Sequence, residues 1–222
     1  MDLRLETVLA DVPLLSGLTA DDVVAVAEHA VSRVFPKNAV IVNEGDLSES
    51  LYVILSGRVK VYSSDDDGNE IILSFQGPGE YFGEMALLDE TPRSASVVTL
   101  EPTRLAVISK EEFRNCLVNQ PDIGLDLIHN LVRRVRALTE KVKSLGLEDV
   151  YGRVTRTLVA LAASRDNGKM VIEQRLTHQE IANMVGSSRE MVSRIMADLS
   201  RGGYIAVEEK RITINKKFPA EW

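Results

Sequence analysis

Eight residues separate a Gly83-Glu84 pair from an Arg93-Ser94 pair in the segment Gly79–Val97, G-E-Y-F-G-E-M-A-L-L-D-E-T-P-R-S-A-S-V. A guanidinium meets a phosphate through two parallel hydrogen bonds, a serine hydroxyl and backbone N–H groups can complete the cradle, and a carboxylate accepts from a sugar hydroxyl. With a short apolar turn, Met85–Leu88, following the first pair, one compact stretch can hold a sugar phosphate. Gly-Glu and Arg-Ser are common pairs, and a solvated Arg93 bound to a neighbouring acid is the other reading of the same residues.

A second informative stretch is Leu176–Ile205, L-T-H-Q-E-I-A-N-M-V-G-S-S-R-E-M-V-S-R-I-M-A-D-L-S-R-G-G-Y-I. Thr177 and Glu180 form a T-x-x-E capping box, Ser187 and Glu190 form a second box, and Gly186 sits in the turn between them. Two short helices about a glycine turn make a helix-turn-helix. Ile181, Val185, Val192, Ile195, Met196 and Leu199 supply the apolar faces, which leaves Ser188, Arg189, Glu190, Ser193 and Arg194 on or near the exposed face of the second helix. Arg189 and Arg194 can each present a two-pronged donor face to guanine, and Glu190 can accept from the amine of cytosine. Ser188, Thr177 and the N–H groups at the helix starts suit phosphate, which sets register without reading sequence. An αα-hairpin with no role on DNA is the competing reading.

The residues Gly45-Asp46, Leu51-Tyr52-Val53-Ile54, Ser56-Gly57, Val59, Gly79, Phe82-Gly83-Glu84 and Pro92-Arg93-Ser94-Ala95 resemble the cyclic-nucleotide-binding cassette of the CRP/FNR family of bacterial transcription regulators. The resemblance runs on to the C-terminus, where S-R-E-M-V-S-R resembles the family's recognition helix. It implies that Glu84 binds the ribose hydroxyl, that Gly83 lets backbone approach the ligand, that Met85 and Ala86 lie in the same pocket, and that Arg93 and Ser94 bind the cyclic phosphate. It also implies a two-fold symmetric DNA site with TGTGA-like half-sites, and RNA polymerase as a partner. His178, counted with the DNA-contacting residues, and Ala197 stand where the family pattern has basic residues, which implies fewer phosphate contacts. Where the cyclic-AMP-responsive pattern presents a Thr-Ser pair to adenine, this chain has Leu138-Thr139. Thr139 keeps one hydroxyl, while Leu138 cannot bond an exocyclic amine, a loss of around 0.5–1.5 kcal/mol or a factor of several in affinity. Cyclic AMP is the first choice of effector. Cyclic GMP, cyclic di-GMP and an active form without ligand stay open.

These residues need elements to position them. From Val34 to Ile108 short apolar runs broken by turn residues predict strands at Ala39–Val42, Leu51–Leu55, Val59–Tyr62, Ile71–Phe75, Ser94–Thr99 and Arg104–Ile108, with a hairpin turn at Asp65-Asp66-Asp67-Gly68-Asn69. That spacing argues for an antiparallel sandwich or roll. Residues 3–34 read as short helices, with a capped start at Thr19-Ala20-Asp21-Asp22. Lys110–Asn119 reads as a short helix, and Pro121 opens a long one ending near Gly146. Within it Ile128, Leu131, Val135, Leu138, Val142 and Leu145 alternate spacings of three and four, the seam of a two-stranded coiled coil, with Arg133, Arg134, Arg136, Glu140, Lys141 and Lys143 off the seam. The narrow seam predicts a homodimer; a helix buried against its own domain also needs an apolar stripe. Leu145–Val150 reads as a hinge with Asp149 as the next cap, followed by a helix at Val150–Ala163, a polar loop Ser164–Lys169, a strand at Met170–Ile172, and a wing hairpin of Tyr204–Val207 and Arg211–Ile214 about Glu208-Glu209-Lys210.

The expected fold is α+β: a jelly-roll-like β-roll domain at 1–120, a dimerisation helix and hinge at 121–149, and a winged helix-turn-helix at 150–222. Charge divides the same way, since residues 1–149 carry 14 Lys+Arg against 25 Asp+Glu, or −11, and residues 150–222 carry 12 against 8, or +4, within a total of −7. A cationic part beside an acidic one is the pattern of one module touching phosphate while the other does something else. The single cysteine, Cys116, read as a small buried hydrophobe, excludes an internal disulfide and a four-thiolate iron–sulfur cluster. His29, His129 and His178 are too scattered for a metal or haem site, and the acid run Asp65–Asp67 reads as a solvated turn. No enzyme constellation of paired nucleophile and base accompanies the pocket. Neither a signal peptide nor a membrane span is legible, so the chain is expected to be cytoplasmic with no membrane partner.

Overall fold

The computed structural model describes residues 5–10, 12, 15, 19–164, 170–208 and 211–219. The loop read at 164–169 and the wing turn about Glu209-Lys210 therefore lie largely outside the described residues. The chain forms two compact units, one of Met1–Gly68 with Ile72–Val135 and the other of Asn69–Ile71 with Arg136–Trp222.

The first unit is a β-roll with helices at its ends. Helices α1 (Leu5–Ala10) and α2 (Ala20–His29) precede strands β1 (Val31–Phe35), β2 (Val40–Val42), β3 (Ser50–Ser56), β4 (Val59–Ser64), β5 (Glu70–Gln76), β6 (Tyr81–Phe82), β7 (Ser96–Thr99) and β8 (Thr103–Ser109). Helix α3 (Glu84–Leu88) lies between β6 and β7, and α4 (Lys110–Asn119) and α5 (Pro121–Leu147) follow β8. The strands make two four-stranded sheets, ordered β1-β8-β3-β6 and β2-β7-β4-β5. Alternation along each strand divides the core. Ile54, Phe82 and Leu105 of the first sheet meet Val42, Val59 and Val97 of the second between the layers. Leu51, Val53, Ala106 and Ile108 point the other way, into a cluster closed by Val23 and Val26 of α2, Phe113 of α4 and Ile123 and Leu127 of α5.

The six expected strands are present with shifted ends, and the Asp65–Asn69 turn closes as read: the Gly68 amide donates to the Asp65 carbonyl at 3.0 Å, and the Asp67 amide to Asp65 Oδ1 at 3.1 Å. Two readings change. Residues 31–34, taken as helical, belong to β1, because Val31 through Phe35 pair antiparallel with Val107 through Thr103; ladder pairing with a distant strand overrides local pattern. Met85–Leu88, taken as a turn, is the body of α3, which starts at Glu84 behind Gly83. Cys116 is half-buried in α4, packed against the helix-side cluster.

The second unit contains α6 (Val150–Leu161), β9 (Ala163–Ser164), β10 (Met170–Ile172), α7 (His178–Val185), α8 (Arg189–Arg201), β11 (Ile205–Glu208) and β12 (Arg211–Ile214), with an antiparallel sheet ordered β11-β12-β10-β9. Each helix begins on a side-chain cap. Asp149 accepts from the Gly152 amide at 2.7 Å, and Thr177 and Glu180 exchange both bonds of their box. The second box does not form: Ser188, not Ser187, caps α8, accepting from the Met191 amide at 3.2 Å. Gly186 ends α7 in the left-handed conformation, φ 59°, and its amide and that of Ser187 both turn back to the Ala182 carbonyl. The helix stop therefore takes Ser187, and the next residue has the extended backbone a cap requires. Val154, Leu158, Ile181, Val185, Val192, Leu199, Ile205 and Ile212 form the buried faces.

Among the described residues no helix is long and apolar enough to cross a membrane. Because Ile54 is fully buried between the two sheets, Ile54→Ala is expected to destabilise the β-roll by roughly 2–5 kcal/mol through lost contact and a residual cavity. Urea unfolding checks this, and a cost well under that range would show that the layers close on other residues.

Candidate functional site

Gly83, Glu84, Met85, Arg93 and Ser94 come together where β6 turns into α3 and the chain returns toward β7. Gly83 has φ 92°, and a Cβ there would collide with the Arg93 guanidinium and lie 2.9 Å from the Ser50 carbonyl oxygen. Glycine is thus required twice over, for its dihedral and for its clearance. The Arg93 side chain is 4 % exposed, so the solvated arginine is excluded. Nη1 donates to the Gly83 carbonyl at 2.5 Å, and Nη2 donates to Ser48 Oγ at 2.7 Å and to the Ser50 carbonyl at 2.6 Å. Nε is buried without a partner. Burial lowers the pKa of this guanidinium, against the opposing pull of Tyr52 and Glu84. The ring of Tyr52 lies under the guanidinium, 5.9 Å to its centroid, and stacks on Phe82 at 5.0 Å.

Glu84 is 1 % exposed and is met by a residue that pattern reading placed merely off the dimer seam. Arg134 of α5 donates from Nη1 to Glu84 Oε1 at 2.6 Å and from Nη2 to the Tyr81 carbonyl at 2.8 Å, with its guanidinium 5.3 Å from the Tyr81 ring centroid. The signal for Arg134 was present: it continues the stripe Ile123, Leu127, Leu131, the face of α5 turned to the sheet. Burial pushes the Glu84 carboxyl above its ordinary value of 4.5, with Arg134 pulling it back. Burial first and the Glu84 charge second push the Tyr81 phenol up to about 12. Met85 is exposed, with its sulfur 3.7 Å from the hydroxyl of an exposed Ser94, and Ala86 is buried in α3. Leu138 and Thr139 are exposed on the stretch of α5 that belongs to the other compact unit. Ser48, Ser50, Tyr52 and Arg134 had no place in the expected site.

In the second unit Arg189, Glu190 and Arg194 are exposed on one side of α8 and engage no partner among the described residues. Thr177 and Ser188 cap α7 and α8, and His178 Nδ1 lies 2.8 Å from Ser193 Oγ, joining the two helices on that side. Among the described residues no cluster of three or more His, Cys, Asp or Glu that could hold a metal ion is present.

The chain matches two family models, a cyclic nucleotide-binding domain over residues 32–120 and a Crp-like helix-turn-helix domain over residues 152–217. A cyclic nucleotide-binding domain joined to a DNA-binding helix-turn-helix defines a cyclic-nucleotide-responsive transcription regulator, a class of regulators and not of enzymes. The chain is 31% identical over 214 residues to the CRP-like cAMP-activated global transcriptional regulator of Mycobacterium tuberculosis, covering 95% of this chain and 96% of that one. It is 34% identical over 193 residues to the cyclic AMP receptor protein of Thermus thermophilus, covering 87% and 88%. Among solved structures, the c-di-GMP-responsive global regulator CLP of Xanthomonas campestris superposes with a TM-score of 0.79 at 28% identity, covering 90% of this chain and all of that one. The chain belongs to the CRP/FNR family of transcription regulators.

The raised pKa of Glu84 makes a pH prediction. Between 4.5 and the higher folded value the native chain holds a proton that the unfolded chain has lost, so this group's contribution falls as pH rises across that window. Relative to Glu84→Gln, which has no proton to release, the wild-type chain should lose stability as pH rises above 4.5. A flat difference in urea unfolding free energy would mean that Glu84 ionises alike in both states.

Proposed function

We propose that the protein is a homodimeric, sequence-specific transcription regulator controlled by a cyclic nucleotide, with cyclic AMP as the first candidate. The observation that carries this is the buried Glu84 beside Arg93, whose Nε is buried without a partner. In this reading Glu84 takes the ribose hydroxyl, Arg93 and Ser94 take the cyclic phosphate, Gly83 gives clearance, and Met85 and Ala86 line the pocket. Arg134, already on Glu84, adds a cation to the same pocket. The resemblance assigns Leu138 and Thr139 to the base. Names of relatives support cyclic AMP: one is cAMP-activated and another is a cyclic AMP receptor protein. A second reading, cyclic di-GMP, is favoured by the likeness to a c-di-GMP-responsive regulator and by the apolar Leu138.

The dimer reading rests on α5. Its inner stripe, Ile123 and Leu127, is buried in the β-roll, while a second stripe, including Ile128 at 55 %, Val135 at 62 % and Val142 at 68 %, is exposed. A second copy would cover it as a coiled coil, through residues 121–149 as dimerisation helix and hinge. Each 150–222 domain would then set α8 in the major groove of a two-fold site with TGTGA-like half-sites, Arg189, Glu190 and Arg194 reading bases and Thr177, His178 and Ser188 touching phosphate. The residues 1–120 would carry the effector, and RNA polymerase is the expected further partner.

Calorimetry against cyclic AMP, cyclic GMP and cyclic di-GMP, followed by operator titration with and without the one that binds, tests the reading. Equal operator affinity in both conditions would reject the switch and leave DNA binding intact. Ser94→Ala should weaken nucleotide binding by roughly 0.5–1.5 kcal/mol, a factor of several. Arg189→Ala should cost about 1–3 kcal/mol of operator affinity and relax the preference at one base pair; unchanged binding would remove Arg189 from the base-reading set.

A further inference from the structure

At the start of α6 one side chain is spent wholly on main chain. Arg153 donates from Nε to the Val185 carbonyl at 2.8 Å and from Nη1 to the Glu148 carbonyl at 2.8 Å, and Nη2 reaches the Gly186 carbonyl at 3.4 Å. Glu148 directly follows α5, Val185 is the last residue of α7, and Gly186 is its cap. The last carbonyls of a helix have no partner within it and carry the negative end of its dipole. A single cation therefore answers the ends of two helices at once.

Other contacts run beside it. Leu145, near the end of α5, sits against the turn between α7 and α8, where a Cβ on Gly186 would lie 3.0 Å from Leu145 Cδ2. The Glu148 carboxylate accepts from Ser144 Oγ at 2.7 Å and pairs with Arg156. Directly beyond the turn, Ser188 caps α8 and Arg189 opens it. From Leu145 to Arg189 the path consists of packed or hydrogen-bonded neighbours, and Arg153 is the group common to both helix ends.

We infer that Arg153 is a positioning residue: it locks the end of α5 to the α7–α8 turn, so that the orientation of α8 follows the state of α5. Its part in signalling rests on the reading above, in which an effector acts through α5; the lock itself does not depend on it. A planar fork with donors on three nitrogens reaches both carbonyl groups, whereas an ammonium at the same place is a point charge able to hold one end at a time. Arg153 makes none of the nucleotide contacts assigned above, its donors being spent on the Val185, Glu148 and Gly186 carbonyls, so effector affinity is expected to be untouched.

The test uses the full-length chain with Arg153→Ala, Arg153→Lys and, as control, Arg156→Ala, which removes the side-chain pair to Glu148 and leaves the main-chain contacts of Arg153 in place. Amide hydrogen exchange is followed in segments 144–150 and 183–189. Arg153→Ala should speed exchange by about five-fold or more in both segments together, as local opening of a shared contact requires. Arg153→Lys should retain protection in one segment only, and Arg156→Ala should leave 183–189 unchanged. Operator affinity is then measured with and without cyclic AMP. Coupling between two sites is worth about 5- to 150-fold, and Arg153→Ala should bring that ratio close to one while calorimetry finds nucleotide affinity unaltered. For Arg153→Ala, unchanged exchange in either segment or a retained ratio would overturn the proposal; for Arg153→Lys, full protection in both segments would do so. A wild-type chain whose operator affinity ignores every nucleotide would instead overturn the effector reading, and the exchange data would still decide for or against the lock. Should Arg153→Ala fail to fold, Arg153→Lys carries the same comparison.

Discussion

A carboxylate as deeply buried as Glu84 has lost nearly all of its water, and in a medium of low polarisability it must find a cation or keep its proton. Here the cation is Arg134, fifty residues further along the chain, at 2.6 Å. Because Arg134 also donates to the Tyr81 carbonyl, the guanidinium binds both ends of the turn from β6 into α3. The requirement to neutralise one acid therefore joins the nucleotide cassette to the helix that continues into the rest of the protein. Burial raises the Glu84 carboxyl above its ordinary value, and Arg134 opposes that rise.

Arg93 meets the opposite demand. A buried guanidinium needs acceptors, and it takes them from main chain and hydroxyl groups on the β3 side, Ser48 Oγ and the Ser50 carbonyl, together with the Gly83 carbonyl. Gly83 is the pivot of both arrangements, since only a residue without Cβ allows the guanidinium to approach at φ 92°. Acid and base are thus held a short way apart by separate partners and are not consumed by one another.

Helix α5 has two apolar stripes, and their fates differ. Ile123 and Leu127 close the β-roll core, whereas Ile128, Val135 and Val142 remain exposed. The same duality recurs at its end, where Leu145 packs on the helix-turn-helix and Glu148 gives its carbonyl to Arg153. A helix built this way has its residues divided between holding its own fold and meeting something else, and the division is set by angle around the axis, not by composition.

Much of this was legible in one dimension. Alternating apolar runs and turn glycines located six strands of the roll, the capping box of Thr177 and Glu180 located α7, and the pairs Gly83-Glu84 and Arg93-Ser94 marked residues that the fold brings together. Local chemistry sufficed there, because a cap or a hairpin turn is satisfied by neighbours a few residues away. Where two local answers competed, the structure chose: Ser188 caps α8 in place of Ser187, since the left-handed stop at Gly186 takes one more residue than the S-x-x-E spacing allows. Strand β1 was missed because its identity comes from pairing with β8, some seventy residues later.

From sequence alone came the order of modules, the charge division between them, and the residue types able to hold a sugar phosphate or read a base, all of them properties of spacing along the chain. Only the tertiary structure decided that Arg134 faces Glu84, that Arg93 is spent on carbonyls, and that Arg153 ties two helix ends, because a buried charge selects its partner by distance in space, and chain separation says nothing about that distance.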